Sequence, residues 1–323
     1  MTIKRVLAFL GAAALIIGAL LIRNGLDDHS SSSSDGTDAP SGGSTIVVCS
    51  TQLAAVCNKL PKSYSVTVES AGDTLDRLSK NGAQPPDAWI TLDPFPGMLD
   101  TLRTYSNLPA LAPEVAAIAT DAPVLAVPTA RNDAVAAGCA GQAAWKCLGG
   151  AAGKPWTSLS PDAAGGDVLV GITDPGSEDL GLVTFANAVA GYFGVVQADN
   201  SSFQDPGFTS WLRNFSNNVD VVSTGSTPLG TLLIRKTEVN VAASTDSEVG
   251  GNQRRSEVAT VAASPAVSPT VVVAGFTARG KAATTKAPPL FLAAGWTSPA
   301  SPQPQLPAGT FVALRALWKE YNK

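Results

Sequence analysis

The chain has 323 residues, with 22 basic and 26 acidic side chains, giving a formal net charge of −4. Hydrophobic residues make up 45% and charged residues 15%, enough apolar mass for a large core, so the bulk is not disordered. The negative balance and the lack of a Lys/Arg-rich run argue against a nucleic-acid partner. The single histidine, His29, lies beside a serine run. The folded part therefore has no Ser-His-Asp triad, Cys-His pair or histidine-rich metal site.

The first element is an apolar run, Val6 to Ile22, preceded by Lys4 and Arg5. It reads as a signal anchor or a cleavable signal peptide within residues 1–26. The run ends in Leu20-Leu21-Ile22-Arg23-Asn24, a poor cleavage site, and no cysteine follows closely enough for lipid attachment. This favours an uncleaved single-pass anchor in the cell membrane, with the N-terminus inside and the rest extracytoplasmic. Secretion after cleavage is the alternative. Residues 27–44, rich in Ser and Gly, read as a flexible tether.

The folded part is then 45–323. Four cysteines fall as two close pairs, Cys49 with Cys57 and Cys139 with Cys147. Local pairing in an oxidising compartment is the simplest of three connectivities. A four-thiolate zinc site needs tighter spacing, so no metal and no cofactor is expected.

Thr45–Cys49 is a β-branched run and reads as a buried strand. Gln52–Leu60 can form a helix. Tyr64–Glu69 alternates and reads as a second strand, followed by a helix over Thr74–Asn81. Ala88–Leu92 is a third strand. This alternation predicts an α/β fold with a mostly parallel sheet and helices on both faces. A second set follows: strands at Pro123–Pro128, Asp167–Ile172, Asp220–Val222, Glu238–Ala243 and Thr270–Ala274. Helices are expected at Leu182–Phe193, Thr227–Lys236, Pro288–Gly295 and Gly309–Tyr321. Residues 250–268 read as irregular, and no repeat period is visible.

Several strands end in small or hydroxyl residues, often with an aspartate: Ser50-Thr51, Ser70-Ala71-Gly72-Asp73, Asp93, Thr173-Asp174-Pro175-Gly176-Ser177, and Ser244-Thr245-Asp246. Ligands of open α/β sheets lie beyond the carboxyl ends of strands. The same residue types are also ordinary helix caps.

The order of these segments resembles the bacterial extracytoplasmic solute-binding proteins of the second topological type, with the molybdate-binding-like branch and its actinobacterial relatives nearest. The stretches carrying the resemblance are Ile46–Thr51, Val66–Asp73, Pro86–Thr91, Ala122–Pro128, Val170–Pro175, Val239–Asp246 and Thr270–Gly275. It implies a two-lobed periplasmic-binding-protein-like fold with a ligand held between the lobes. Lobe one would comprise about 45–123 and 274–323, and lobe two about 127–270, with Pro123–Pro128 and Thr270–Gly275 crossing between them.

The ligand set carried over is Ser50, Thr51, Ser70, Gly72 and Asp73 in lobe one, and Thr173, Asp174 and Ser177 in lobe two. The strand ends add Asp93 and Thr245. The hydroxyls serve either a polar organic solute or an oxyanion; Asp73, Asp93 and Asp174 would repel an oxyanion unless they cap helices or point away, which tilts the choice toward a small polar solute with amine or hydroxyl donors. A membrane transporter or a sensor protein would be the partner. The alternative is a structural or protein-interaction domain that keeps the fold without a ligand.

An enzyme must manage here without histidine. No lysine has serine three positions before it, which removes S-x-x-K chemistry. Asp93, Asp174 or Glu178 could act as acid–base pairs on a sugar, but surface charge and capping explain them as well, and no catalytic residue is assigned. Gly275–Ala282 matches G-x4-G-K yet lacks the closing Ser or Thr, and reads as a basic turn after a strand. Trp89 and Trp318 read as core, whereas Trp156 and Trp211 lie in polar contexts that could border a cleft.

Overall fold

The computed structural model describes residues 44–197, 202–299 and 306–322. The chain divides into Met1–Gly43 and Ser44–Lys323, and everything described lies in the second unit. The apolar run, most of the tether and His29 lie outside the described residues. Among the described residues, no helix is long and apolar enough to cross a membrane.

Among the described residues, ten strands form two five-stranded sheets. They are β1 (Thr45–Ser50), β2 (Tyr64–Glu69), β3 (Ala88–Asp93), β4 (Glu114–Thr120), β5 (Pro123–Pro128), β6 (Val170–Ile172), β7 (Val219–Val221), β8 (Val241–Thr245), β9 (Val258–Ala262) and β10 (Thr270–Gly275). The first sheet runs β2-β1-β3-β10-β4 and the second β7-β6-β8-β5-β9. In each sheet three strands are parallel, and a fourth enters antiparallel from the far side of a chain crossing: β10 against β3 and β4, β5 against β8 and β9. The sheets are therefore mixed, and the two halves share one architecture that no sequence period revealed.

Burial follows strand position. The central β3 and β10 are almost wholly buried, which is why they read as continuous apolar runs. The edge strand β2 alternates half-buried and exposed residues. Residues 258–262, expected to be irregular, form β9 along β5. Strand β4 is alanine-rich and takes its conformation from pairing with β10.

Strand β5 lies wholly in the second sheet and β10 wholly in the first. The chain thus passes between sheets at Asp121-Ala122 and again over 263–269, rather than within Pro123–Pro128 and Thr270–Gly275. Both crossings are tied down. The Asp121 carboxylate accepts from Ala122 N at 2.8 Å, from Ser247 N, and from the Ser247 hydroxyl. On the return, Asn187 accepts from Val267 N at 2.6 Å and donates to Val267 O at 2.9 Å.

The longer helices among the described residues are α1 (Ala71–Leu78), α2 (Phe95–Tyr105), α3 (Ala144–Ala151), α4 (Asp179–Phe193), α5 (Pro206–Asn218) and α6 (Ala308–Tyr321). Helix α1 starts three residues before the expected Thr74 because Ser70 caps it. The Ser70 hydroxyl accepts from Asp73 N at 3.1 Å and donates to the Asp73 carboxylate at 2.7 Å. Trp156 and Trp211, whose polar sequence contexts left a place beside a cleft open, are buried in the core of lobe two, Trp211 in an aromatic cluster with Tyr192, Phe208 and Phe215.

Both cysteine pairs are disulfide-bonded, Cys49–Cys57 at 1.96 Å and Cys139–Cys147 at 1.99 Å. The G-x4-G-K segment is a capped turn. Thr277 accepts from Gly280 N and donates to Asp87, and Lys281 pairs with Glu114 at 2.6 Å. A Cβ at Gly280 would fall 1.6 Å from Asp87 O, so close backbone packing accounts for that glycine.

Candidate functional site

The carboxyl ends of β1 and β3 face the carboxyl end of β6 and the start of α4. Part of this face is closed by direct contact. Ser50 donates to Thr91 at 2.9 Å, and Thr91 donates to Asp179 at 3.0 Å. Asp179 also accepts from Leu92 N at 3.1 Å and from Leu180 N at 2.9 Å. Its carboxyl is fully buried, and burial raises its pKa against the pull of these donors. Beside it, Gly72 N donates to Ser177 O at 2.7 Å. A Cβ at Gly72 would lie 2.8 Å from Ser177 Cα, so this approach requires glycine.

Helix α6 clamps the contact from one side. The Arg315 guanidinium donates to Gly176 O at 2.8 Å and to both Asp76 oxygens, at 2.6 and 3.0 Å. Trp318 Nε1 donates to Asp174 Oδ1 at 2.9 Å, and Asp174 also accepts from Gly176 N and Ser177 Oγ. This turn is therefore held by α6 from outside and by α1 from across the lobes.

Beyond the closed part, two adjoining chambers open between the lobes. The larger, about 370 Å³, is lined by Thr51, Gln52, Thr173, Asp174, Glu178 and the 222–227 loop. The smaller, about 230 Å³, has apolar walls from Leu53, Val56, Leu92, Leu180, Pro228 and Trp296. Gln52, Thr173 and Thr227 line both. Asp179, Thr245 and Glu248 supply polar atoms to the smaller one. No Lys, Arg or His lines either chamber among the described residues.

Two buried acceptors at the chambers have no partner among the described residues: Gln52 Oε1 and Glu178 Oε2. Glu178 is 4% exposed. Burial, followed by the neighbouring negative charges of Asp179, Asp174 and Asp73, pushes its pKa up to about 7. Burial likewise raises Glu248, whose carboxylate accepts from Ser244 Oγ at 2.6 Å.

The sequence-derived residues thus divide. Thr51, Thr173, Asp174 and Thr245 line the chambers. Ser50, Gly72 and Ser177 are engaged in contacts that close the lobes on each other. Ser70 and Asp73 cap α1, with Asp73 facing a separate, third hollow beside Arg315. Asp93 ends β3, paired in register with Thr270, and lines none of these cavities. Sequence reasoning missed Gln52, Thr227, Glu248 and Trp296 as lining residues, and considered Glu178 only for catalysis. Glu178 directly follows the Thr173–Ser177 strand ending, which was the available signal.

No protein-family model matches the sequence, and no curated protein matches it. In fold, the chain is similar to a ferric binding protein from Campylobacter jejuni, with a TM-score of 0.52 and 12% identity, covering 86% of this chain and 98% of that one. It is also similar to the periplasmic binding protein P5PA, with a TM-score of 0.50 and 13% identity, covering 87% of this chain and all of that one. The fold is that of a type II periplasmic binding protein.

Proposed function

We propose that the chain is an extracytoplasmic solute-binding module that holds a small ligand with amine or hydroxyl donors between its two lobes. The observation that carries this reading is the pair of connected chambers at the facing strand ends, where Gln52 Oε1 and Glu178 Oε2 are buried acceptors lacking donors. A buried polar atom without a partner is costly, and a ligand donor would remove that cost.

An oxyanion is disfavoured by the same lining, which among the described residues offers carboxylates and no basic side chain. The Campylobacter protein is a ferric binding protein. Here, among the described residues, no group of three or more His, Cys, Asp or Glu is gathered to hold a metal. The fold's neighbours are binding proteins, and the chambers show acceptors rather than an activated nucleophile, so binding is proposed in place of catalysis. Tethering through residues 6–22, with a transporter or sensor as partner, is part of the proposal and rests on the apolar run after Lys4 and Arg5.

Thermal shift of the full chain against amino acids, amines, sugars and inorganic oxyanions tests the reading. Stabilisation by a donor-bearing solute is expected. If no solute of any class raises the melting temperature, the domain keeps the fold for a structural or interaction role instead.

A further inference from the structure

The two chambers differ in chemistry, and the difference specifies more than a polar solute. Three acids meet at the turn that opens α4, and two of them are satisfied by the protein. Asp174 accepts from Gly176 N, Ser177 Oγ and Trp318 Nε1. Asp179 accepts from Thr91 Oγ1, Leu92 N and Leu180 N. Glu178 lies between them, 4% exposed, with Oε2 lacking any partner among the described residues. The charges that act on it are those of Asp179 and Asp174 on its own segment and of Asp73 on α1, all negative. The missing partner is therefore both a donor and a cation.

At the junction of the chambers, Gln52 Oε1 is a second acceptor without a donor. A primary ammonium carries three N–H groups and can donate to more than one acceptor, which a single hydroxyl cannot. Past Gln52 the lining turns apolar, with Leu53, Val56, Leu92 and Trp296 in one wall set. The acids there are already occupied: Glu248 accepts from Ser244, and Asp179 from Thr91 and Leu92 N. The Leu53, Val56, Leu92 and Trp296 walls suit a hydrocarbon or aromatic group.

We propose that the cleft takes an elongated organic monoamine, its ammonium against Glu178 and Gln52 in the larger chamber and its apolar end beside Trp296 in the smaller. This rests on the reading of the cleft as a ligand site and names the class of ligand. Glu178 supplies the charge that selects the amine, and the Leu53–Trp296 walls favour an apolar far end.

The test is calorimetric titration of the full chain at pH 8 with n-hexylamine, 1-hexanol, sodium hexanoate and sodium sulfate. Hexylamine should bind at least tenfold more tightly than hexanol, with hexanoate and sulfate giving no heat. Glu178→Gln should weaken hexylamine at least tenfold and reduce its preference over hexanol. Equal binding of hexanol or hexanoate, no binding of hexylamine, or an unaltered hexylamine affinity in Glu178→Gln would overturn the proposal. A sugar or oxyanion that stabilises the chain in the thermal-shift panel while hexylamine fails would sink the amine and leave the binding module standing. Silence across that whole panel would sink both. If Glu178→Gln does not fold, Gln52→Met decides, with at least a threefold loss of hexylamine affinity expected and no change counting against the proposal.

Discussion

Replacing Glu178 by glutamine should make the protein more stable at alkaline pH and leave it unchanged in acid. The carboxyl has an ordinary pKa of 4.5, raised to about 7 in the fold by burial and by the charges of Asp179, Asp174 and Asp73. The folded state therefore holds this proton more tightly than the unfolded chain does. The resulting stability is fully present below pH 4.5 and is lost as pH rises through 7. At 1.36 kcal/mol per pH unit, the gap between 4.5 and about 7 is worth about 3 kcal/mol, or about 2 kcal/mol after solvent screening. Glutamine mimics the neutral acid in shape and cannot ionise. Urea denaturation followed by tryptophan fluorescence, at pH 4.5 and 8.5, should show a difference near zero in acid and about 2–3 kcal/mol in favour of Glu178→Gln in base. A difference of the same size at both values would mean that Glu178 keeps its solvent-like ionisation and that the cleft does not bury a carboxylate.

Other perturbations probe how the lobes are held. Arg315→Ala removes four donated bonds to Gly176, Gly72 and Asp76 and should cost about 2–3 kcal/mol, with Arg315→Lys recovering little because the fork geometry is lost; chemical denaturation reads both. Asn187→Leu strips the return crossing of both bonds to Val267 and should lower stability by about 2–4 kcal/mol, visible as a lower melting temperature. Converting Cys139 and Cys147 to serine opens a short loop and should cost about 2–3 kcal/mol, measured under non-reducing conditions.

Much of the frame was legible in the sequence because central strands are buried on both faces. Thr45–Cys49, Ala88–Leu92, Pro123–Pro128 and Thr270–Ala274 carry apolar runs that only a covered sheet explains. Strand β4 and strand β9 were invisible for the complementary reason: Glu114–Thr120 is alanine-rich, Val258–Ala262 is mixed, and each is a strand because β10 or β5 lies beside it. The site was legible as a location rather than as a set of contacts. Thr51, Thr173, Asp174 and Thr245 could be placed at strand ends by topology alone. Whether a strand-end residue faces a chamber or the opposite lobe depends on how closely the lobes approach. Gly72 and Ser177 touch, which takes them and Ser50 out of the open part of the cleft, while Gln52 and Glu178 face it. That approach is set by Arg315 and Trp318, well over a hundred residues away in sequence from the turn they hold.

The most direct measurement is a structure of the full chain crystallised with whichever solute stabilises it in the thermal-shift panel. The account predicts density between the lobes, with a ligand nitrogen or hydroxyl within hydrogen-bond distance of Glu178 or Gln52. Ligand density confined to the hollow beside Asp76 and Lys319, or on the outer surface with the two chambers filled only by water, would contradict it.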